Sequence, residues 1–233
     1  MNQQKTIFSA AGIFAITGGI CVVAGFSALK YFFGYPEIIR AEPAVIMQRL
    51  HEMRQIVPYL YYVGVGCAGL CILFFSILFE RILSNAGEQI WSMLGKTCGI
   101  VAGVLLYIGI IRYSILFPTL AAMRQSGLHD ADVIDLIFKA MNTFIGESMA
   151  EHAQFTFSAL MFLFFGVSIT KTKVLPTWIA IFAIATTAVI LVGNLEQFGF
   201  KFAFAFNRFA AKMLALWFIC AGTGLMYRRY RMQ

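Results

Sequence analysis

An all-α polytopic membrane protein, with six transmembrane helices plus two amphipathic interfacial helices, is the fold class this 233-residue sequence predicts. Three observations predict it. The chain is 60% hydrophobic and only 12% charged, whereas a soluble domain carries about 25% charged residues. Its mean hydropathy is +0.79. Its apolar residues are gathered into separate runs, each near the roughly 20 residues that cross a bilayer. The spans leave no room for a separate soluble domain, so residues 1–233 read as one transmembrane domain.

The first span is predicted at 7–29, with Gly18, Gly19 and Gly25 allowing another helix to approach. Its apolar run is longer than the core of a signal peptide, which makes it an expected uncleaved span. Tyr31 to Tyr35 is an aromatic stretch suited to the membrane boundary. From Pro43 the pattern turns helical. Ile46, Leu50, Met53 and Val57 form an apolar stripe opposite Gln48, His51, Glu52 and Gln55, which predicts an amphipathic helix over 43–55.

Span two is predicted at 58–79, with Gly64, Gly66, Ala68 and Gly69 as a packing face. Span three, at 96–120, carries Gly99 and Gly103 as a GxxxG pair and a single charge, Arg112, inside apolar sequence. Asp130 and Asp132 can cap a helix start. The stripe Val133, Ile134, Ile137, Phe138, Met141, Phe144 and Ile145 predicts a second amphipathic helix over 131–145, with Asp135 and Lys139 four apart. Span four is predicted at 150–169, span five at 175–195 and span six at 209–226. Between the last two, Phe198, Phe200, Phe202, Phe204 and Phe206 alternate like a strand. An isolated strand at a lipid surface would leave backbone groups unpaired, so an interfacial aromatic stretch is expected instead.

The net charge of +7 reports orientation before it reports any acidic partner, and no nucleic-acid partner is expected. Six spans put both termini on one side, with Lys5, Arg81, Lys96, Lys171, Lys173, Arg228, Arg229 and Arg231 against Glu80 and Glu88. That bias favours cytoplasmic termini in a bacterial inner membrane. The two amphipathic helices, most carboxylates and all three histidines then face outward. The five cysteines all lie in apolar spans and read as small hydrophobes.

Arg112 organises the functional expectation. An arginine at mid-membrane costs about 2.5–3.5 kcal/mol on insertion scales and normally faces a bundle interior, a wet cavity or an acid; the alternative is an arginine near the helix end that snorkels to the boundary, with the chain leaving the membrane around Pro118. Glu147, Glu151 and His152 sit at the start of span four and Glu196 follows span five, so an Arg112 ion pair with Glu147, Glu151 or Glu196 is expected. These five residues are the candidate ligand-binding set. No catalytic residue is assigned. Without HExxH or paired ExxH motifs, no metal or other cofactor is expected, although His152 could serve a haem or a divalent metal. Ser148 lacks a GxSxG setting.

Arg112-Tyr113 followed by Phe117-Pro118-Thr119-Leu120, then Gly146-Glu147 before span four, then Leu175-Pro176-Thr177-Trp178 opening span five, form a recurring order. With these pieces the chain resembles the bacterial domain-of-unknown-function family 4386, small integral membrane proteins. The resemblance implies a six-helix fold and supplies no reaction. The leading expectation is a protein that binds or moves a small amphiphilic or lipid-like ligand near the extracytoplasmic face, with membrane lipid around it. The alternatives are a membrane-embedded enzyme using a Glu/His site, or a structural subunit of a homo-oligomer or larger membrane complex.

Overall fold

The computed structural model describes residues 2–231. Helix α1 is Asn2–Phe33, and a 3-10 turn at Ile38–Arg40 leads to α2, Pro43–Glu52. Helix α3, Val57–Asn85, contains π-helical turns over Leu60–Gly66. Helix α4, Ile90–Ile111, breaks at Arg112 and resumes as α5, Leu116–Ser126. Helix α6, Ala131–Met141, runs through a π-helical segment, Asn142–Ala153, into α7, Gln154–Thr172. Helix α8, Thr177–Gly193, ends in a 3-10 turn at Asn194–Phe198, and α9 is Ala203–Arg231. Six helical runs are long and apolar enough to cross a membrane, and no strand occurs among the described residues. The protein is an all-α polytopic membrane protein.

Most helices extend beyond their apolar windows, because hydropathy marks the part that suits hydrocarbon while the hydrogen-bonded helix continues into polar sequence. The Phe-rich connector is a 3-10 turn, a left-handed Gly199 at φ 89 and the start of α9. Asp130 caps α6 by accepting from the Asp132 backbone N–H at 2.9 Å. Asp135 does not pair with Lys139: its carboxylate takes Arg124 Nε at 2.8 Å, which ties α6 to α5.

The six spans close a ring in chain order, each packed on the next and α9 packed back on α1. Every neighbouring pair is antiparallel, so both chain ends lie at one face. The closest approaches are made by residues without side chains. A Cβ on Gly103 would lie 2.6 Å from the Gly69 carbonyl oxygen, and one on Gly222 would lie 2.7 Å from the Gly12 carbonyl oxygen. Gly18 faces Cys71 of α3 while its neighbour Gly19 faces Ala215 of α9, so one glycine pair serves two helices. Small residues on spans one, three and five make room for rings from spans two, four and six. Phe75 lies 4.9 Å from Phe79, 5.2 Å from Phe218, 6.0 Å from Trp217 and 6.2 Å from Phe165. Trp217 Nε1 donates to the Ile179 carbonyl at 2.9 Å. Ile13, Ile20, Val63, Ile77, Val104, Ile181 and Leu216 point outward, as a lipid-facing surface requires.

At the terminal face, Lys96 reaches Glu80 at 3.0 Å and Lys171 reaches Glu88 at 3.1 Å. Arg228 donates to the carbonyls of Lys173 and Val174 at 2.7 and 2.5 Å. Burial alone would raise the Glu88 carboxyl, but the Lys171 ammonium and the backbone N–H groups of Trp91 and Ile90 outweigh it and hold it below its ordinary value.

Truncating Phe75 to Ala is expected to lower stability by about 3–5 kcal/mol, the range for buried aromatic truncation. A thermal melt in mild detergent should show this loss, while Ile77→Ala, on the lipid face, should leave the midpoint within a few degrees. A carboxyl depressed in the folded state stabilises above its unfolded value, and that contribution is lost as pH falls through the folded value. Glu88→Gln should therefore melt below the parent at pH 7, with the difference closing on acidification.

Candidate functional site

The site begins where α4 stops. With the helix broken after Ile111, the last carbonyls of α4 lose their usual N–H partners. Tyr113 N–H turns to Ile110 and Ser114 N–H to Ile111, and the Gly109 carbonyl accepts instead from Arg112 Nη1. Arg112 Nη2 donates to Asn142 Oδ1 at 3.4 Å. The guanidinium lies over two rings, 4.8 Å from the Tyr113 centroid and 5.6 Å from that of Phe117. Arg112 is only 8% exposed, so it does not snorkel out of the bundle.

Three consecutive spans leave α geometry around this residue. Span two is π-helical over Leu60–Gly66, span three is broken between Ile111 and Leu116, and span four is π-helical over Asn142–Ala153. π turns in membrane or soluble helices gather at functional sites. Contacts place the three irregularities together. Ser114 Oγ donates to the Pro58 carbonyl at 2.8 Å, and Tyr61 stacks on Tyr113 with centroids 4.3 Å apart and planes 16° apart. A Cβ on Gly109 would lie 2.1 Å from Ala150 Cβ, and one on Gly146 would lie 2.5 Å from Arg112 Nη2. Gly109 and Gly146 are thus the two positions that let the π segment lie against Arg112.

The cluster is short of partners. Tyr61 and Tyr113 are each 2% exposed, yet both hydroxyls, together with Arg112 Nε and His152 Nδ1, are buried without a hydrogen-bond partner. Such groups are costly unless something pairs with them, roughly 1–3 kcal/mol each. The expected ion pair of Arg112 with Glu147, Glu151 or Glu196 is not formed. Among the described residues the ion pairs are Arg40–Glu196, Arg49–Glu52, Lys96–Glu80, Arg124–Asp135 and Lys171–Glu88. Glu196 is held by Arg40 at 2.6 Å and by Asn207 Nδ2 at 3.0 Å, because the loop after α1 reaches across to the connector between α8 and α9. Arg40 also lies 4.0 Å from the Phe204 centroid.

Of the other candidates, Glu147 is exposed. Glu151 is half-buried, and the charges acting on it are those of Arg112, Arg40, Glu196 and Glu147. His152 turns edge-on to Phe198 at 5.7 Å. His51 lies 3.3 Å from Arg54 and His129 is in the exposed turn between α5 and α6, so neither joins the cluster. Above it, burial pushes the Tyr35 hydroxyl well up from its ordinary value; Glu151 and Tyr113 add to this, while Arg40 and Arg208 oppose it.

An aromatic chain roofs the site. Phe33 meets both Tyr61 and Tyr113 at 6.1 Å, Tyr113 meets Phe117 at 4.9 Å, and Phe117 meets Phe138 of α6 at 4.2 Å. Ile46, Met47 and Leu50 of α2 and Ile134 and Phe138 of α6 complete the cover. A surface cleft of about 340 Å³ lies between α2 and α6, lined by Glu42, Pro43, Ala44, Asp135, Leu136 and Lys139. Tyr61, Asn142 and Gly109 escape a sequence reading, whereas Tyr113 and Gly146 enter it only through the Arg112-Tyr113 and Gly146-Glu147 pairs, with no role attached to either.

A family model described as Domain of unknown function (DUF4386) matches residues 10–226. No curated protein and no solved structure matches the chain.

Gly109→Ala should force α4 and the π segment apart and lower stability by about 1–3 kcal/mol, the usual penalty of overpacking. Thermal unfolding in detergent measures it; an unchanged midpoint would mean that the two helices are not in backbone contact there.

Proposed function

The chain belongs to the DUF4386 family, and we propose that it binds or moves a small amphiphilic or lipid-like ligand, whose anionic group meets Arg112. The observation that carries this reading is a guanidinium buried among rings with Nε unpartnered and no carboxylate paired to it. A buried charge is stable only when paired and hydrogen-bonded. A carbonyl, an amide oxygen and two ring faces solvate Arg112 but do not neutralise it. An oxyanion would, and the Tyr61 and Tyr113 hydroxyls are two further donors for it.

In this reading Glu151 and His152 border the ligand, while Glu147 and Glu196 stand at its mouth. Helices α2 and α6 shield it from the aqueous side. The apolar surround favours a ligand with a hydrocarbon tail over a free ion. The basic links at the terminal face, Lys96, Lys171, Lys173 and Arg228 among them, favour cytoplasmic termini in a bacterial inner membrane. The site then opens on the extracytoplasmic leaflet.

Replacing Arg112 with Leu tests the reading. A charge-assisted hydrogen bond contributes about 1.5–3 kcal/mol, so anionic amphiphile retained through purification, counted by native mass spectrometry, should fall by at least tenfold. The thermal midpoint should hold or rise, since an uncompensated buried charge is removed. Equal retention by Arg112→Leu would overturn the role given to the guanidinium.

A further inference from the structure

Helix α9 begins among cations that no acid answers. Lys201 in the turn before it, and Arg208 and Lys212 in its first three turns, are exposed. They take part in none of the ion pairs formed among the described residues. Glu196, on the same connector, is already held by Arg40 at 2.6 Å and by Asn207 Nδ2 at 3.0 Å. The guanidiniums of Arg40 and Arg208 lie 4.0 and 5.4 Å from the centroid of one ring, Phe204. That ring gathers two cations to one place, and Glu196 pairs with only the first. Glu37, three residues before Arg40, is exposed and joins none of the ion pairs.

The unpaired cations lie on a lipid-facing side. At about 100° per residue, Arg208, Lys212, Leu216 and Phe209 share a sector of about 100° on α9. Phe209 and Leu216 are each 54% exposed there, on the side away from Ala210, Leu214, Trp217 and Phe218, which are buried in the bundle. The apolar run of span six begins at Phe209. Arg208 and Lys212 therefore straddle its edge, at the end of α9 opposite the C-terminus. Four residues apart on a helix, their Cβ atoms are about 6 Å from each other, so both long side chains can reach one phosphate.

We propose that this edge of α9 binds the headgroup of an anionic phospholipid in the leaflet opposite the chain termini. Arg208 and Lys212 meet its phosphodiester, and its acyl chains run along Phe209 and Leu216. The site is separate from that of Arg112, which is buried beside the Tyr113 and Phe117 rings. Charge complementarity selects the occupant. Long cationic side chains at a lipid-facing edge turn toward headgroups. A zwitterionic headgroup brings a positive charge that Lys201, Arg208 and Lys212 repel, and an anionic one does not. A guanidinium can give a phosphate two parallel N–H bonds, and Phe204 holds that of Arg208 in place by a cation–π contact. A free phosphate would meet the cations and leave Phe209 and Leu216 uncovered, whereas a lipid covers both.

Native mass spectrometry of the full chain tests this, after delipidation in non-ionic detergent and titration with dioleoylphosphatidylglycerol or dioleoylphosphatidylcholine. The parent should bind phosphatidylglycerol more tightly. Each cation at an anionic lipid surface contributes about fivefold in affinity, so Arg208→Gln combined with Lys212→Gln should weaken phosphatidylglycerol binding by about 25-fold and erase the preference. Arg208→Lys combined with Lys212→Arg keeps both charges and should keep most of the preference. Arg112→Leu should keep it in full. The preference is read on the parent and the charge-keeping variant as well, so the outcome is decided even where the Gln pair melts early.

No preference for phosphatidylglycerol in the parent, or the same preference in the Gln pair, would overturn the site and leave these cations to water. Loss of the preference in Arg112→Leu with retention in the Gln pair would move the lipid to the Arg112 site, overturning this inference and leaving the reading of that site standing. Displacement of the lipid by glycerol 1-phosphate at matched concentration would reveal a site for free phosphate and overturn the lipid.

Discussion

A guanidinium cannot be left dry. Arg112 is fixed inside packed hydrocarbon by the continuity of span three, and the surrounding chain is shaped by the need to solvate it. The helix breaks at that residue, which frees the Gly109 carbonyl to accept from it. The next span loosens into π turns, which set Asn142 and the bare Cα of Gly146 against it. The preceding span does the same and slides Tyr61 under Tyr113. Each irregularity sacrifices α-helical hydrogen bonding, and each supplies a group or a gap to one cation.

The ring of six spans divides into two halves with different tasks. Towards the terminal face the axis is filled by Phe75, Phe162, Phe165 and Trp217, drawn from alternate spans and locked by edge-to-face contacts. Short ion pairs clamp the links there. That half gives rigidity. Towards the opposite face the rings are tyrosines, the helices are irregular, and loops latch through Arg40 and Glu196. Unsatisfied buried polar atoms gather in that half alone: all four found among the described residues lie at Tyr61, Arg112, Tyr113 and His152. A closely packed half thus carries a half whose buried polar atoms are under-partnered.

Spans, surface helices and the Asp130 cap were legible because hydropathy and periodicity act locally. One charge in an apolar run marked Arg112 out, but whether it is buried or snorkels to the boundary was open until the fold placed it at 8% exposure. What solvates it was not legible. An acid is the obvious partner on electrostatic grounds, whereas the chain uses a backbone carbonyl, an amide and two ring faces, and spends Glu196 on Arg40. Carbonyls become available only where a helix breaks, and the one signal of that break is Pro118, which has no N–H to give the Ser114 carbonyl and sits in the first turn of the resumed helix. The π turns over 142–153 depend on which groups lie opposite, so they carry no composition signal. Asp135 shows the same limit: a neighbour four residues away loses to Arg124 once α5 and α6 pack together.

The most direct measurement is an experimental density map of the protein in lipid nanodiscs, at a resolution that separates the Arg112 fork from its neighbours. The account predicts a guanidinium enclosed by the Gly109 carbonyl, Asn142 and the Tyr113 ring, with additional density from an oxyanion within hydrogen-bond reach of Nε and the Tyr61 and Tyr113 hydroxyls. A bidentate Arg112–Glu151 pair with no additional density, or a guanidinium extended to the headgroups, would contradict it.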